Sequence, residues 1–146
     1  CEVRVLVKLA SQDEVRYDAD ATQPRPAYCT AMGRILLAHQ ASSALDRYLA
    51  HAPFPRLTPS TLTSATALRR RIVQARRAGE EIVLEEFSPG GSGAAVPVRN
   101  AGGQVVAALN VATVTARFEA KRDLILRDLH ATARLISERL GHDPQP

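Results

Sequence analysis

Three places in this 146-residue sequence carry residue types that could bind a small ligand. The first is a predicted helix start at residues 27–33, which read AYCTAMG. The first N–H groups of a helix have no partner inside the helix, and they carry a partial positive charge that suits an anion. Small residues leave these groups accessible, so the sequence predicts a carboxylate site at Thr30, Ala31, Met32 and Gly33. The competing interpretation is a simple Thr30 cap, with Gly33 placed for packing.

The second place is Asn110, a single amide in an apolar run that is predicted to be a strand. Alternate residues of a strand face opposite sides of the sheet. One side of this strand would be small and apolar with one polar group, which is typical of a cavity wall: Val106, Ala108, Asn110 and Ala112. A buried amide must be hydrogen-bonded, so neighbouring backbone could satisfy Asn110 instead of a ligand.

The third place is a loop at residues 88–93, which read SPGGSG. Neither a Lys-Ser/Thr pair nor a helix follows it, so it is neither a Walker loop nor a dinucleotide-binding loop. The loop is predicted to be either a mobile rim over a cavity or a plain hairpin connection.

Catalysis, a metal site and a cofactor are not predicted. Cys29 at a helix start could have a lowered thiol pKa, with His39 as its base. The two residues are ten positions apart on one predicted helix, about 15 Å along its axis, so they cannot touch. Most acidic residues are expected on outer faces, and the neighbours Glu85 and Glu86 should point to opposite sides of a strand.

The elements that would position these residues follow from hydrophobic spacing and from capping residues. Alternation predicts an N-terminal hairpin, and the 3.6-residue period then predicts three helices, of which the second and third begin at serine caps. Their ranges are Glu2–Leu9 and Glu14–Tyr17 for the hairpin, then Thr30–His39, a start at Ser42 or Ser43 with an end at His51, and Ser64–Gly79 for the helices. After Gly79 a three-stranded antiparallel meander and one long helix with a buried apolar stripe ending at Leu140 are predicted: Glu80–Phe87, Ala94–Arg99, Gln104–Ala112 and Glu119–Leu140. The fold class is therefore α+β, with helices packed on an antiparallel sheet.

Length and composition are those of one soluble domain with 45% apolar residues, and we expect it to be intracellular. No apolar run is long enough to span a membrane, and two cysteines are too few for a disulfide scaffold. The isoelectric point near 9.6 raises the question of nucleic-acid binding. The one arginine cluster, at residues 69–77, falls mostly on the predicted solvated face of a helix. Because the chain opens on Cys1 without a leader, we expect that a larger protein continues before it.

Several stretches together resemble the C-terminal effector-binding domain of the IclR family of bacterial transcriptional regulators. They occur in the same order and spacing between Pro26 and Gly141, and they read YCTAMGRILLA from residue 28, RLTP from 56, RAG from 77, EEF from 85, AVPV from 95, GGQVVAALNV from 102 and ARF from 116. The resemblance implies a GAF-like fold, a cytoplasmic homo-oligomer (a dimer or a dimer of dimers), and a pocket that signals to an N-terminal winged helix-turn-helix domain. That domain is not in this chain, so DNA contact would be made only through it.

The first and sixth stretches look most like the subgroup that regulates aromatic-acid breakdown through protocatechuate and β-ketoadipate. An aromatic or oxo-acid effector is therefore implied. Family pocket contacts carried over by position fall on Ala31, Met32, Val83, Gly93, Asn110 and Ala112. Where the family has a large apolar residue and an arginine, this chain has Gly91 and Ser92, which implies a wider pocket mouth. The alternatives are a stand-alone ligand-binding or dimerisation module and, more remotely, a small hydrolase.

Overall fold

The computed structural model describes residues 1–18 and 20–143 of the chain. Two short strands are followed by three helices, three longer strands and two further helices. In chain order these are β1 (Glu2–Val3), β2 (Arg25–Pro26), α1 (Ala31–Ala38), α2 (Ser42–His51), α3 (Ala65–Ala78), β3 (Glu81–Leu84), β4 (Gly91–Arg99), β5 (Val105–Val114), α4 (Thr115–Ala120) and α5 (Arg122–Arg139). The α+β class predicted from the sequence is confirmed.

The central sheet is the predicted antiparallel meander, with strand order β3-β4-β5. The end of β3 and the start of β4 both differ from the strand boundaries predicted from the sequence. β3 stops at Leu84, and β4 already begins at Gly91, because Gly91 and Gly93 pair with Val114 and Ala112 of β5. Residues 85–90 therefore connect the two strands, so the connection is as long as the expected loop at 88–93 but begins three residues earlier.

The sheet is covered on both faces. On one side, Phe118 of α4 and Leu129 and Ala133 of α5 are buried against alternate residues of β4 and β5. On the other side, α1 packs on the sheet through Ala31 and Ile35. A further apolar cluster joins α1 to α2 and α3 beyond the sheet. Because side chains alternate along β4 and β5, these strands contribute residues to a separate core on each face of the sheet.

Helix α3 follows its sequence signals. The Ser64 hydroxyl accepts a hydrogen bond from the N–H of Ala67, and Gly79 ends the helix in the left-handed conformation with φ +70°. The arginines at 69, 70, 76 and 77 are exposed as expected, whereas Arg71 turns inward and bonds Glu81. The serine cap predicted for α2 is wrong: Ala41 occupies the cap position, and no side chain caps that helix.

The predicted N-terminal hairpin is wrong. Only Glu2 and Val3 form a strand, and they pair with Arg25 and Pro26 rather than with residues 14–17. β2 cannot extend this ladder, because Pro24 and Pro26 have no backbone N–H to donate. Without a partner strand, Leu6, Val7 and Leu9 remain 87%, 80% and 92% exposed.

The long C-terminal helix is broken at Lys121, where φ is −121°. Phe118 of α4 and Leu129 and Ala133 of α5 are buried in the same apolar cluster, so both sides of the break pack on β4 and β5. Leu140 lies beyond α5 and is 47% exposed, so the expected buried stripe ends earlier. Between residues 1 and 143, leaving out residue 19, no helix has the length and apolar character needed to cross a membrane.

Candidate functional site

A cavity of about 610 Å³ is lined by the residues before β2, the start of α1, parts of β3, β4 and β5, and Ile136 and Leu140 near the C-terminus. Its size is within the range of small-molecule sites in proteins, and its lining is mostly apolar. Polar groups enter it from the helix start and from β5. Arg25 also lines it, with its guanidinium 5.0 Å from the centre of the Phe87 ring.

The start of α1 presents free backbone donors. Thr30 occupies the cap position, but its hydroxyl donates a hydrogen bond to the carbonyl of Pro26 at 2.9 Å and caps nothing. Within the described chain, no group accepts a hydrogen bond from the N–H groups of Ala31, Met32 or Gly33. The first turn also contains no acidic side chain. This end of the helix keeps its partial positive charge uncompensated, as an anion site requires.

Gly33 serves packing rather than the cavity. A Cβ atom at this position would overlap the backbone of Ala27 and the hydroxyl of Thr30. Gly33 is absent from the cavity lining, whereas Thr30, Ala31 and Met32 belong to it. Glycine here lets the first turn of α1 lie directly against the preceding loop.

The wall formed by β5 has the two faces expected from its sequence. Ala107, Leu109 and Val111 pack toward α5, and Ala108 packs with Ala31 on the other side. Asn110 lies on that second side, opposite Ala95 of β4, and its amide makes no hydrogen bond to another described residue. The amide therefore keeps its donors and its acceptor for a ligand or for water.

Strand register brings three of the predicted residues into one row. Val83 pairs with Gly93 across β3 and β4, and Gly93 pairs with Ala112 across β4 and β5. A side chain at Gly93 would collide with the carbonyl of Val111, so glycine keeps β4 and β5 at pairing distance here. Seven of the eight residues predicted for the site thus line the cavity: Thr30, Ala31, Met32, Val83, Gly93, Asn110 and Ala112. Their role in binding stays a prediction.

A buried ion network holds the helix start in place, and sequence reasoning missed it. Arg34 is completely buried. Its Nε donates to the carbonyl of Tyr28 at 2.7 Å, and its Nη1 donates to Glu81 at 3.0 Å and to Glu86 at 2.8 Å. A second bond joins its Nη2 to Glu86, and Arg71 reaches Glu81 from the surface at 2.9 Å. The expectation that the acidic residues lie on outer faces is wrong for both glutamates, because each has a cation within bonding distance.

The same network fixes the connection between β3 and β4. Glu86 also accepts from the N–H of Leu62, and the hydroxyls of Thr58 and Thr61 donate to the carbonyls of Glu85 and Glu86. Glu85 has φ +55°, an uncommon backbone conformation for a residue with a side chain. It is not the strand residue expected from the sequence. One network of ion pairs and hydrogen bonds therefore connects the start of α1 to the loop between β3 and β4 at the edge of the cavity.

The electrostatics of Cys29 and His39 do not support nucleophilic catalysis. Burial raises the pKa of the Cys29 thiol to about 11, which is the opposite of what activates a thiolate. His39 lies at the other end of α1, where its Nδ1 is 2.9 Å from the carbonyl of Ile35 and its Nε2 is 3.4 Å from Arg99. Burial lowers the pKa of His39. Among the residues that the structure describes, no cluster of His, Cys, Asp and Glu could hold a metal ion.

An antiparallel sheet covered by helices, with a mostly apolar cavity at a free helix start, defines a small-molecule-binding domain. The family model described as bacterial transcriptional regulator IclR C-terminal matches residues 2–138. The chain belongs to this family.

Individual relatives agree with this assignment. The Pca regulon regulatory protein of Pseudomonas putida is 45% identical over 92 residues, which are 63% of this chain and 32% of that protein. The HTH-type transcriptional regulator KdgR of Escherichia coli (strain K12) is 32% identical over 140 residues, 95% of this chain and 53% of that protein. The chain thus spans about a third to a half of the length of these curated relatives, both of which are regulatory proteins.

A solved structure shares the fold closely. An IclR homolog from Microbacterium hydrocarbonoxydans, complexed with 4-hydroxybenzoate, superposes with a TM-score of 0.85 at 29% identity. The superposition covers 95% of this chain and 56% of that one.

Proposed function

We propose that this chain senses a small aromatic or oxo-carboxylic acid and passes its presence to a DNA-binding domain of the same regulator. The observation that carries the proposal is the set of free N–H groups at the start of α1, which border the same cavity as the amide of Asn110. One wall can hold a carboxylate, and another can hold a second polar group of the same ligand.

The geometry suggests an arrangement for the ligand. Its carboxylate would accept hydrogen bonds from the N–H groups of Ala31 and Met32. The ring or carbon chain would lie against the row formed by Val83, Gly93 and Ala112. A hydroxyl or oxo group at the other end would bond Asn110. Burial of apolar ligand surface adds roughly 25 cal/mol per Å² to such binding.

The comparisons support the aromatic class of ligand. The Microbacterium homolog binds 4-hydroxybenzoate, an aromatic carboxylate with a second polar group, and the Pseudomonas relative is a Pca regulon regulator. We place this chain in the same aromatic-acid subgroup as part of the proposal. KdgR is similar over more of the chain, so ligands outside that subgroup belong in the same experiment.

The wider regulator is also part of the proposal. A winged helix-turn-helix domain preceding this chain would contact the operator. Homo-oligomers, dimers or dimers of dimers, would convert ligand binding into a change of geometry by population shift. The regulator would act in the cytoplasm. Light scattering of the chain with and without ligand measures its oligomeric state and tests whether the chain forms dimers or tetramers.

Thermal melting against a panel of aromatic and oxo acids tests the proposal. A ligand at 100 times its Kd should stabilise the domain by about 2.7 kcal/mol. Asn110→Leu should weaken binding roughly twofold to tenfold with an unchanged melting temperature in the absence of ligand. Gln40→Leu, at an exposed amide two residues beyond the end of α1, is the matched control and should leave affinity unchanged. If no acid of the panel raises the melting temperature, the proposal is wrong.

A further inference from the structure

Residues 4–17, here called the strap, lie between β1 and β2 in the chain and border the cavity. Many of them contribute to its lining, from Arg4 through Ser11 and again at Arg16 and Tyr17. Three apolar strap residues, Leu6, Val7 and Leu9, are still mostly exposed. The strap therefore offers apolar surface that would be buried if it moved onto an occupied cavity.

The far end of the strap is attached to the edge of the cavity by Tyr17. The hydroxyls of Tyr17 and Ser88 share a hydrogen bond 2.9 Å long, although the residues are 71 positions apart. The ring of Tyr17 lies directly on Gly91, where a Cβ atom would overlap the ring carbons Cε2 and Cδ2. Because Gly91 has no side chain, the tyrosine ring occupies the place that a larger residue would fill.

A second contact holds the same end of the strap to α4. The guanidinium of Arg117 donates to the carbonyl of Val15 at 3.0 Å and pairs with Asp13 at 3.0 Å. The near end of the strap continues from β1, which pairs with β2. The strap is thus fastened at both ends, by strand pairing at one and by side chains at the other.

We propose that Tyr17 is a gating residue: its contact with Ser88 and Gly91 is a latch that holds the strap across the effector cavity, and ligand entry and exit require its release. The proposal rests on the proposed function for the identity of the ligand, but the latch itself can be tested without any ligand. A hydrogen bond between two hydroxyl groups contributes only a modest free energy. A gate that must open repeatedly requires such a weak contact. Losing the bond should raise the open fraction of the strap roughly twofold to tenfold.

Limited trypsin digestion of the ligand-free chain measures strap opening. Cleavage after Lys8 is the readout, because Lys8 pairs with Asp18 beside Tyr17, and trypsin can bind this side chain only when it leaves that pair. Tyr17→Phe and Ser88→Ala should each increase its rate roughly twofold to tenfold. The combined variant should match the single variants, since all three lack the same bond. Ser43→Ala, at an exposed serine of α2, is the control and should cleave as the unsubstituted chain does.

A second experiment addresses the tyrosine ring and the ligand. Gly91→Ala displaces the ring and should accelerate cleavage after Lys8 more than Tyr17→Phe does. With 4-hydroxybenzoate as the probe, or with the acid of the panel that binds, stopped-flow association and dissociation should both be faster in Tyr17→Phe.

The outcomes separate the two proposals. Unchanged cleavage after Lys8 in both Tyr17→Phe and Ser88→Ala would overturn the latch, and so would faster cleavage with unchanged ligand exchange rates. If no acid binds, the proposed function fails, and the cleavage rates alone then decide the latch.

Discussion

Replacement of Arg34 with methionine should destabilise the domain by about 3–5 kcal/mol. The buried guanidinium satisfies two carboxylates and one backbone carbonyl. In the variant, Glu81 retains Arg71, but Glu86 loses its only cation in the described chain and keeps the N–H of Leu62. Leaving a buried carboxylate without its cation costs far more than the pair itself contributes. Since domains are typically stable by about 5–15 kcal/mol, a large share of the total would be lost.

Urea unfolding followed by circular dichroism measures this loss. Arg69→Met is the matched control, because Arg69 pairs with Asp46 at 2.7 Å but both side chains are about half exposed. Exposed pairs contribute at most about 1 kcal/mol, so the control should change little. Adding Glu86→Gln to Arg34→Met should recover part of the stability, since it removes the uncompensated charge. An Arg34→Met variant no less stable than the Arg69→Met control would refute the role given to the network.

Three further predictions concern single side chains. Gly33→Ala should lower stability by about 1–2 kcal/mol in urea unfolding, because overlap with the backbone of Ala27 outweighs the gain of about 1 kcal/mol in helix propensity. In a Cys1→Ser variant, the buried thiol of Cys29, whose pKa is raised to about 11, should react with a thiol reagent only after unfolding. Burial lowers the pKa of His39 below its ordinary 6.5, so the unfolded chain takes up this proton first and stability falls as pH drops below about 6.5; His39→Gln should reduce that fall in melting temperature.

Local sequence patterns are enough to predict a helix or strand when the residues that determine its ends lie within the element or next to it. Helix α3 has both ends where Ser64 and Gly79 predict them, because a cap acts within one helical turn. The two faces of β5 follow from simple alternation. The residue types alone predicted the helix start, Asn110 and the loop that contains Gly93, whereas Val83 came only from the family resemblance.

Contacts between distant residues could not be predicted in this way. Arg34 bonds glutamates 47 and 52 positions away, and its place among apolar neighbours on α1 is the one local signal that it is buried. The N-terminal hairpin failed for a similar reason. Alternation shows that a segment can form a strand, but pairing depends on a partner, and the two-residue β2 pairs only with Glu2 and Val3. The row of Val83, Gly93 and Ala112 likewise depends on the strand register, which local sequence patterns do not determine.

The buried ions give the two walls of the cavity unequal stiffness. The wall that carries the start of α1 is clamped by a neutral set of two arginines and two glutamates, so it resists displacement. The strap also lines the cavity, and its far end is held by the Tyr17–Ser88 hydrogen bond and the Arg117–Asp13 pair. A ligand that contacts both the start of α1 and the strap would therefore displace the strap more easily than the helix. Because the strap continues directly from β1, a displacement of the strap would reach the residues at the amino end of the chain first.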